Sequence, residues 1–144
     1  MFSKACEYGI RAMLYIAEQS ENDNRVNIKE ISAAIDSPEA FTAKVLQQLA
    51  RNGIVDSLKG PTGGFSIIKD RLDEIKLQDI VYAIDGDQIY KGCGLGLPKC
   101  NDERPCPVHH KYAAVRDELE AMLETTTLKE LAFGLNKGLT FLKR

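Results

Sequence analysis

Residues 41–65 read FTAKVLQQLARNGIVDSLKGPTGGF, and the change of texture along them decides the fold. The stretch opens as a helix: Val45, Leu46 and Leu49 face inward, while Thr42, Lys44, Gln47, Gln48 and Arg51 lie outward or flank that face. Just upstream, Asp36-Ser37-Pro38-Glu39 reads as the start of that helix. Ser37 is a fitting N-cap, Pro38 fits the first helical position, and Glu39 suits the positive end of the helix dipole. Gly53 suits a left-handed cap, so this helix is expected to stop near Asn52. Residues 54–59 and 65–68 are then short β-prone runs, and the GPTGG of residues 60–64 between them reads as a hairpin loop.

Upstream, Cys6, Ile10, Met13 and Ala17 step by four, three and four, so residues 2–19 read as a helix with one apolar stripe. Tyr8, Arg11 and Tyr15 lie off that stripe. After the polar turn SENDNR at residues 20–25, Asn27 with Glu30 three residues on is a capping-box variant. It opens a short helix with Ile28, Ile31 and Ile35 facing inward. Three helices followed by a hairpin is the order of a winged helix-turn-helix domain.

Downstream, Leu77, Ile80, Val81 and Ile84 share one face of a fourth helix, which Asp85-Gly86-Asp87 ends. Residues 88–107 hold too many glycines and prolines for a helix to be expected. From 108 to about 125 the chain reads as helical again, with Tyr112, Val115, Leu119 and Met122 in a heptad-like seam. Thr127 and Glu130 form a further capping box for a last short helix. The expected fold is mainly α with a small β-hairpin. Residues 1–86 form the winged helix-turn-helix domain with its packing helix, 87–107 a cysteine-rich loop, and 108–144 a dimerisation helix and tail.

Composition sets the outer bounds. With 44% apolar and 28% charged residues over 144 positions, the chain can bury a core and is not a disordered segment. The apolar run 12–17 stops at Glu18, short of the ~20 residues a bilayer span needs. Lys4, Glu7 and Arg11 interrupt the amino terminus, which does not read as a signal peptide; a cytoplasmic location is the expectation. A net charge of −2 announces no polyanion partner, yet in residues 40–69 Lys44, Arg51, Lys59 and Lys69 face only Asp56, a local +3. There is no Cys-x-x-Cys redox pair, no glycine-rich phosphate loop opening a helix and no acid–base pair at motif spacing, so an enzyme is not expected.

Two constellations carry chemistry. The third helix and the hairpin could enter and flank the major groove of double-stranded DNA. Ser37, Thr42, Lys44, Gln47 and Gln48 are the candidates on the helix side. Lys59, Gly60, Thr62 and Gly63 are those on the wing, where glycines bare amides to phosphate. The second constellation is Cys93-x6-Cys100-x5-Cys106-x2-His109. Three thiols and an imidazole are enough to complete an iron–sulfur cluster or a tetrahedral zinc site, though zinc more often takes closely spaced cysteine pairs. His110 rivals His109, Asp102 or Glu103 could fill an open position, and a cluster-free thiol switch uses the same cysteines. Cys6, alone on the apolar stripe of the first helix, reads as core. The 112–122 seam is a narrow stripe that a thin domain can scarcely cover alone; the same helix of a second chain would bury it, the alternative being packing on its own wing domain.

The 41–65 stretch also resembles the core of the Rrf2 family of bacterial transcription regulators, which includes the IscR, NsrR and CymR types. The resemblance lies in the Leu-Ala-Arg-x-Gly turn, the short strand and the Lys-Gly-Pro-x-Gly-Gly-aromatic wing. YGIRAMLYIA at residues 8–17 and KLQDIVYAIDG at 76–86 are similar to the same family. The resemblance implies a homodimeric winged-helix repressor or activator on a palindromic operator. It also implies an iron–sulfur cluster on Cys93, Cys100, Cys106 and His109, with a 2Fe-2S cluster expected ahead of a 4Fe-4S one, and responses to iron, oxidative or nitric oxide stress. Members of the cysteine-metabolism type sense without a cluster. The alternative is therefore a cluster-free regulator switched by thiol oxidation or a protein partner.

Overall fold

In the computed structural model, which describes residues 1–143, the chain enters its first helix at Ser3, whose hydroxyl accepts the Cys6 amide at 3.0 Å. Arg144, the end of the expected C-terminal segment, lies outside the described residues. Helix α1 (Lys4–Glu21) is followed by α2 (Ile28–Ile35), α3 (Glu39–Arg51), strands β1 (Asp56–Leu58) and β2 (Gly64–Ser66), and a 3-10 turn at Lys69–Arg71. Then come α4 (Leu77–Asp85), α5 (Gln88–Lys91), α6 (His109–Thr125) and α7 (Leu128–Asn136). Both full capping boxes form: Asn27 accepts the Glu30 amide and Thr127 accepts that of Glu130, while each glutamate takes the cap amide in return.

The third helix starts differently from the expectation. Pro38, not Ser37, stands at its N-cap and supplies no side-chain acceptor; the Ser37 hydroxyl instead lies 2.6 Å from that of Thr42. The strands are shorter than the β-prone runs, because Ile54, Val55 and Ile67 turn into the core rather than extend the ladder. One turn of helix, α5, stands where residues 88–107 were expected to be irregular.

Hairpin and helices are joined by backbone pairing that no local pattern announces. Val26 and Phe65 exchange both amide–carbonyl bonds, at 3.1 and 2.7 Å, so the segment before α2 runs beside β2. Gly64 makes this possible: its φ is +129°, and a Cβ there would sit 2.4 Å from the Val26 carbonyl oxygen. Gly64→Ala is therefore expected to lose ~1–3 kcal/mol of stability, read as a lowered urea midpoint at unchanged slope.

A single apolar cluster runs through the chain. Met13, Ile16, Ile31, Ile35, Leu46, Leu49 and Ile80 are fully buried in it, and so are Leu123, Leu128 and Ala132. The far end of α6 and the start of α7 thus complete the core of the head, with the Leu77 amide bonded to the Thr126 carbonyl and that of Leu128 to the Ile75 carbonyl, both at 3.0 Å. Among the described residues no helix is long and apolar enough to cross a membrane.

Candidate functional site

Helix α3 lies across α1 with Val45, Leu46 and Leu49 buried and Lys44 and Gln47 exposed. Two sequence-based candidates on it prove to face inward. Thr42 is fully buried, and its hydroxyl donates to the Pro38 carbonyl at 2.8 Å. It closes the first turn of α3 rather than reaching outward, so it is corrected to a structural residue. Gln48 is half-buried, and its Nε2 donates to the Ala83 carbonyl of α4 at 2.8 Å. Its amide donor is committed within the fold, which corrects the outward placement expected for it. Arg11 braces the helix-turn-helix from behind: Nη1 donates to the Ile35 carbonyl at 2.9 Å while the guanidinium lies over the Tyr8 ring.

On the hairpin, Lys59, Gly60 and Thr62 are exposed and Gly63 half-buried at the tip. The pattern of the sequence missed one cation here. Arg25 sits in a polar turn far away in the chain, but the Val26–Phe65 bridge carries it to the wing, with Nη1 3.4 Å from the Gly64 carbonyl.

The cysteine loop departs from α4 through α5 and returns into α6. Of its four predicted ligands, Cys100 and His109 stand together. Cys93 Sγ accepts the Leu95 amide at 3.4 Å; that amide foremost, then those of Leu97 and Gly96 with the Cys106 thiol, hold the Cys93 thiol below its ordinary range. Cys100 Sγ lies 3.3 Å from His109 Nδ1, while His109 Nε2 is 2.5 Å from Asp102 Oδ1. The His109 ring is buried, whereas His110 is exposed and only touches it edge-on. Among the described residues no three His, Cys, Asp or Glu side chains converge closely enough to hold an ion as they stand. The donor set nonetheless suits an iron–sulfur cluster: all three thiols are free, the Leu95 amide points at a sulfur, and a carboxylate orients the imidazole so that Nδ1 faces a cysteine. Asp102 is thus the partner of the histidine in this structure.

Cys6 behaves as the sequence reading expects. It is fully buried, and burial, with Asp85 and Glu7 adding negative charge, pushes its thiol up to about 12. Alkylation of the metal-free native protein at pH 8 should modify the three loop cysteines and leave Cys6 unlabelled, as read by peptide mass spectrometry.

The loop is fastened to α6 at two points. Arg116 Nη1 donates to the Gly92 carbonyl at 2.8 Å, and Gly94 lies against Tyr112 so closely that a Cβ would meet the ring at 2.8–2.9 Å. The other positions of the seam face solvent: Val115 and Met122 are exposed and Leu119 half-covered, while Leu123, one residue off the seam, enters the core.

Three helices and a wing, with α3 displaying Lys44 and Gln47 beside the hairpin, define a winged helix-turn-helix DNA-binding protein. Residues 2–133 match the family model described as Rrf2, iron-dependent transcriptional regulator. The chain is 35% identical over 133 residues to an HTH-type transcriptional regulator of Aquifex aeolicus, spanning 91% of this chain and 90% of that one. It is 27% identical over 124 residues to the HTH-type transcriptional regulator IscR of Photorhabdus laumondii, spanning 86% of this chain and 74% of the relative. Its fold matches that of CymR, the global cysteine regulator of B. subtilis, with a TM-score of 0.76 over 92% of this chain and 96% of that one at 21% identity. The chain belongs to the Rrf2 family of transcriptional regulators. It is a DNA-binding regulator, not an enzyme.

Proposed function

We propose that this regulator is a cytoplasmic homodimer whose affinity for a palindromic operator is set by an iron–sulfur cluster, of the 2Fe-2S kind, and so by iron, oxidative or nitric oxide stress. The observation that carries the reading is the Cys100–His109–Asp102 line, with the free thiols of Cys93 and Cys106 in the same loop. Cys93, Cys100, Cys106 and His109 would hold the cluster, which when bound supplies a reversible, redox- and nitric-oxide-sensitive crosslink of the loop. The protein does the rest. Arg116 and Gly94 hold the loop to α6; α4 holds its other end to the head. Ordering the loop fixes the separation of the two recognition helices. Lys44 and Gln47 are the base-facing residues, while Lys59, Gly60, Thr62, Gly63 and Arg25 lie along the backbone. Tyr112, Val115, Leu119 and Met122 would pair with the same residues of a second copy, each burying apolar area worth ~1.5–3 kcal/mol before association costs.

The free, partly exposed thiols of the loop favour a second reading, in which a peroxide-class oxidant takes two electrons from a pair of them to form a disulfide and no cluster forms. Anaerobic reconstitution with iron and sulfide separates the two. Visible absorbance with a Mössbauer spectrum of a diamagnetic ferric pair supports the first reading; a colourless product that cannot be loaded replaces it with the second.

A further inference from the structure

Gln48 has a partner that a base-reading residue does not need. Its Nε2 donates to the Ala83 carbonyl, which lies in the last turn of α4, where helix carbonyls run out of intrahelical amides. The Tyr82 carbonyl takes the Gly86 amide at 3.0 Å, and the Gln48 side chain takes the next carbonyl at 2.8 Å. The same turn is gripped from its other sides. The Asp85 carboxylate accepts the Ser3 amide at 3.0 Å and the Ser3 hydroxyl, and Ile84 fills the space over Gly9 next to Val45 of α3. Directly beyond Gly86 the chain passes through α5 to Gly92 and Cys93. One side chain of the recognition helix therefore holds the open end of the helix that leads into the cysteine loop.

We infer that Gln48 is a positioning residue through which the state of the cysteine loop sets the orientation of α3. The inference rests on the cluster-dependent reading above and specifies the link that reading requires. Its two-state element is the end of α4. Either the helix stops at Asp85 and Gln48 holds the Ala83 carbonyl, or it runs on so that the Asp87 amide takes that carbonyl and Gln48 is released. Ligation at Cys93 constrains residues 86–92 and so biases this choice; DNA on α3 biases it from the other side.

Gln48→Met keeps the side-chain length and removes the donor, whereas Gln48→Lys restores a donor. Each chain is titrated, with and without reconstituted cluster at one salt concentration, against a duplex recovered from a random pool by the wild-type protein. The wild type should show a ratio of affinities of about tenfold or more, within the usual range of coupling. Gln48→Met should bring that ratio to within about threefold of unity, and Gln48→Lys should recover most of it. Loss of a phosphate or base contact weakens both forms alike and leaves the ratio unmoved.

A cluster-free readout accompanies it: hydrogen exchange of residues 84–91 in metal-free protein should slow on DNA binding in the wild type and not in Gln48→Met. Wild-type ratio and wild-type protection in Gln48→Met, together with an altered sequence preference, would overturn the inference and make Gln48 a base reader. Equal wild-type affinity with and without cluster would refute the cluster-dependent reading alone, because the exchange experiment still decides Gln48.

Discussion

Cys100→Ala is expected to leave anaerobic reconstitution without the visible absorbance of the wild type and to bind DNA with the affinity of metal-free protein. The geometry makes this cysteine the sulfur nearest the buried imidazole. It is the thiol beside His109 Nδ1, 3.3 Å away. Removing it leaves two cysteines and an imidazole with no sulfur next to it. Asp102→Asn should be milder. The histidine keeps its place but loses the carboxylate at 2.5 Å that orients it, a change typically worth 10–100-fold in retention. Chelator challenge followed by absorbance measures both. A Cys100→Ala chain that keeps a wild-type chromophore contradicts the assigned ligand set.

The double substitution Val115→Glu with Met122→Glu is expected to convert the proposed homodimer to a monomer and to weaken operator binding by about a hundredfold or more, because two half-sites are then engaged without linkage. The change should leave the fold intact. Both side chains are exposed in the single chain, and the residue of α6 that enters the core is Leu123. Introducing four carboxylates across a two-fold seam removes apolar burial and adds like-charge repulsion at once. Sedimentation shows the mass, circular dichroism the retained helix, and a DNA titration the loss. A double variant that stays dimeric would place the pairing surface elsewhere.

The parts of the fold that were legible in the sequence are those that local chemistry decides. Asn27 with Glu30 and Thr127 with Glu130 mark helix starts because the reciprocal bonds involve only neighbours. The stop at Asn52 before Gly53 is of the same kind. Thr42 misled for a simple reason. It stands three and four residues before Val45 and Leu46, so helical geometry puts it on the buried face, yet its polarity suggested solvent. Its hydroxyl is satisfied locally by Pro38 and Ser37, which is how a polar side chain sits in the core at little cost.

What stayed illegible depends on distant partners. Arg25 reaches the wing only through the Val26–Phe65 bridge, and Gln48 turns inward only because the end of α4 lies against it. The four residues of α5 are too few for periodicity to register. In the cysteine loop the spacing suggested a donor set but not the contact of Cys100 with His109, since glycine- and proline-rich backbone carries no period from which contacts could be read.

The central claim is that ligation of the loop sets DNA affinity. Its most direct test is one titration performed twice under anaerobic conditions at a single ionic strength, on a duplex recovered from a random pool, first with cluster-loaded and then with metal-free protein, since salt alone shifts such affinities by orders of magnitude. The account predicts affinities that differ by about tenfold or more and converge when the loaded sample is exposed to nitric oxide. Two superimposable curves, from samples whose spectra confirm one loaded and one empty, would contradict it.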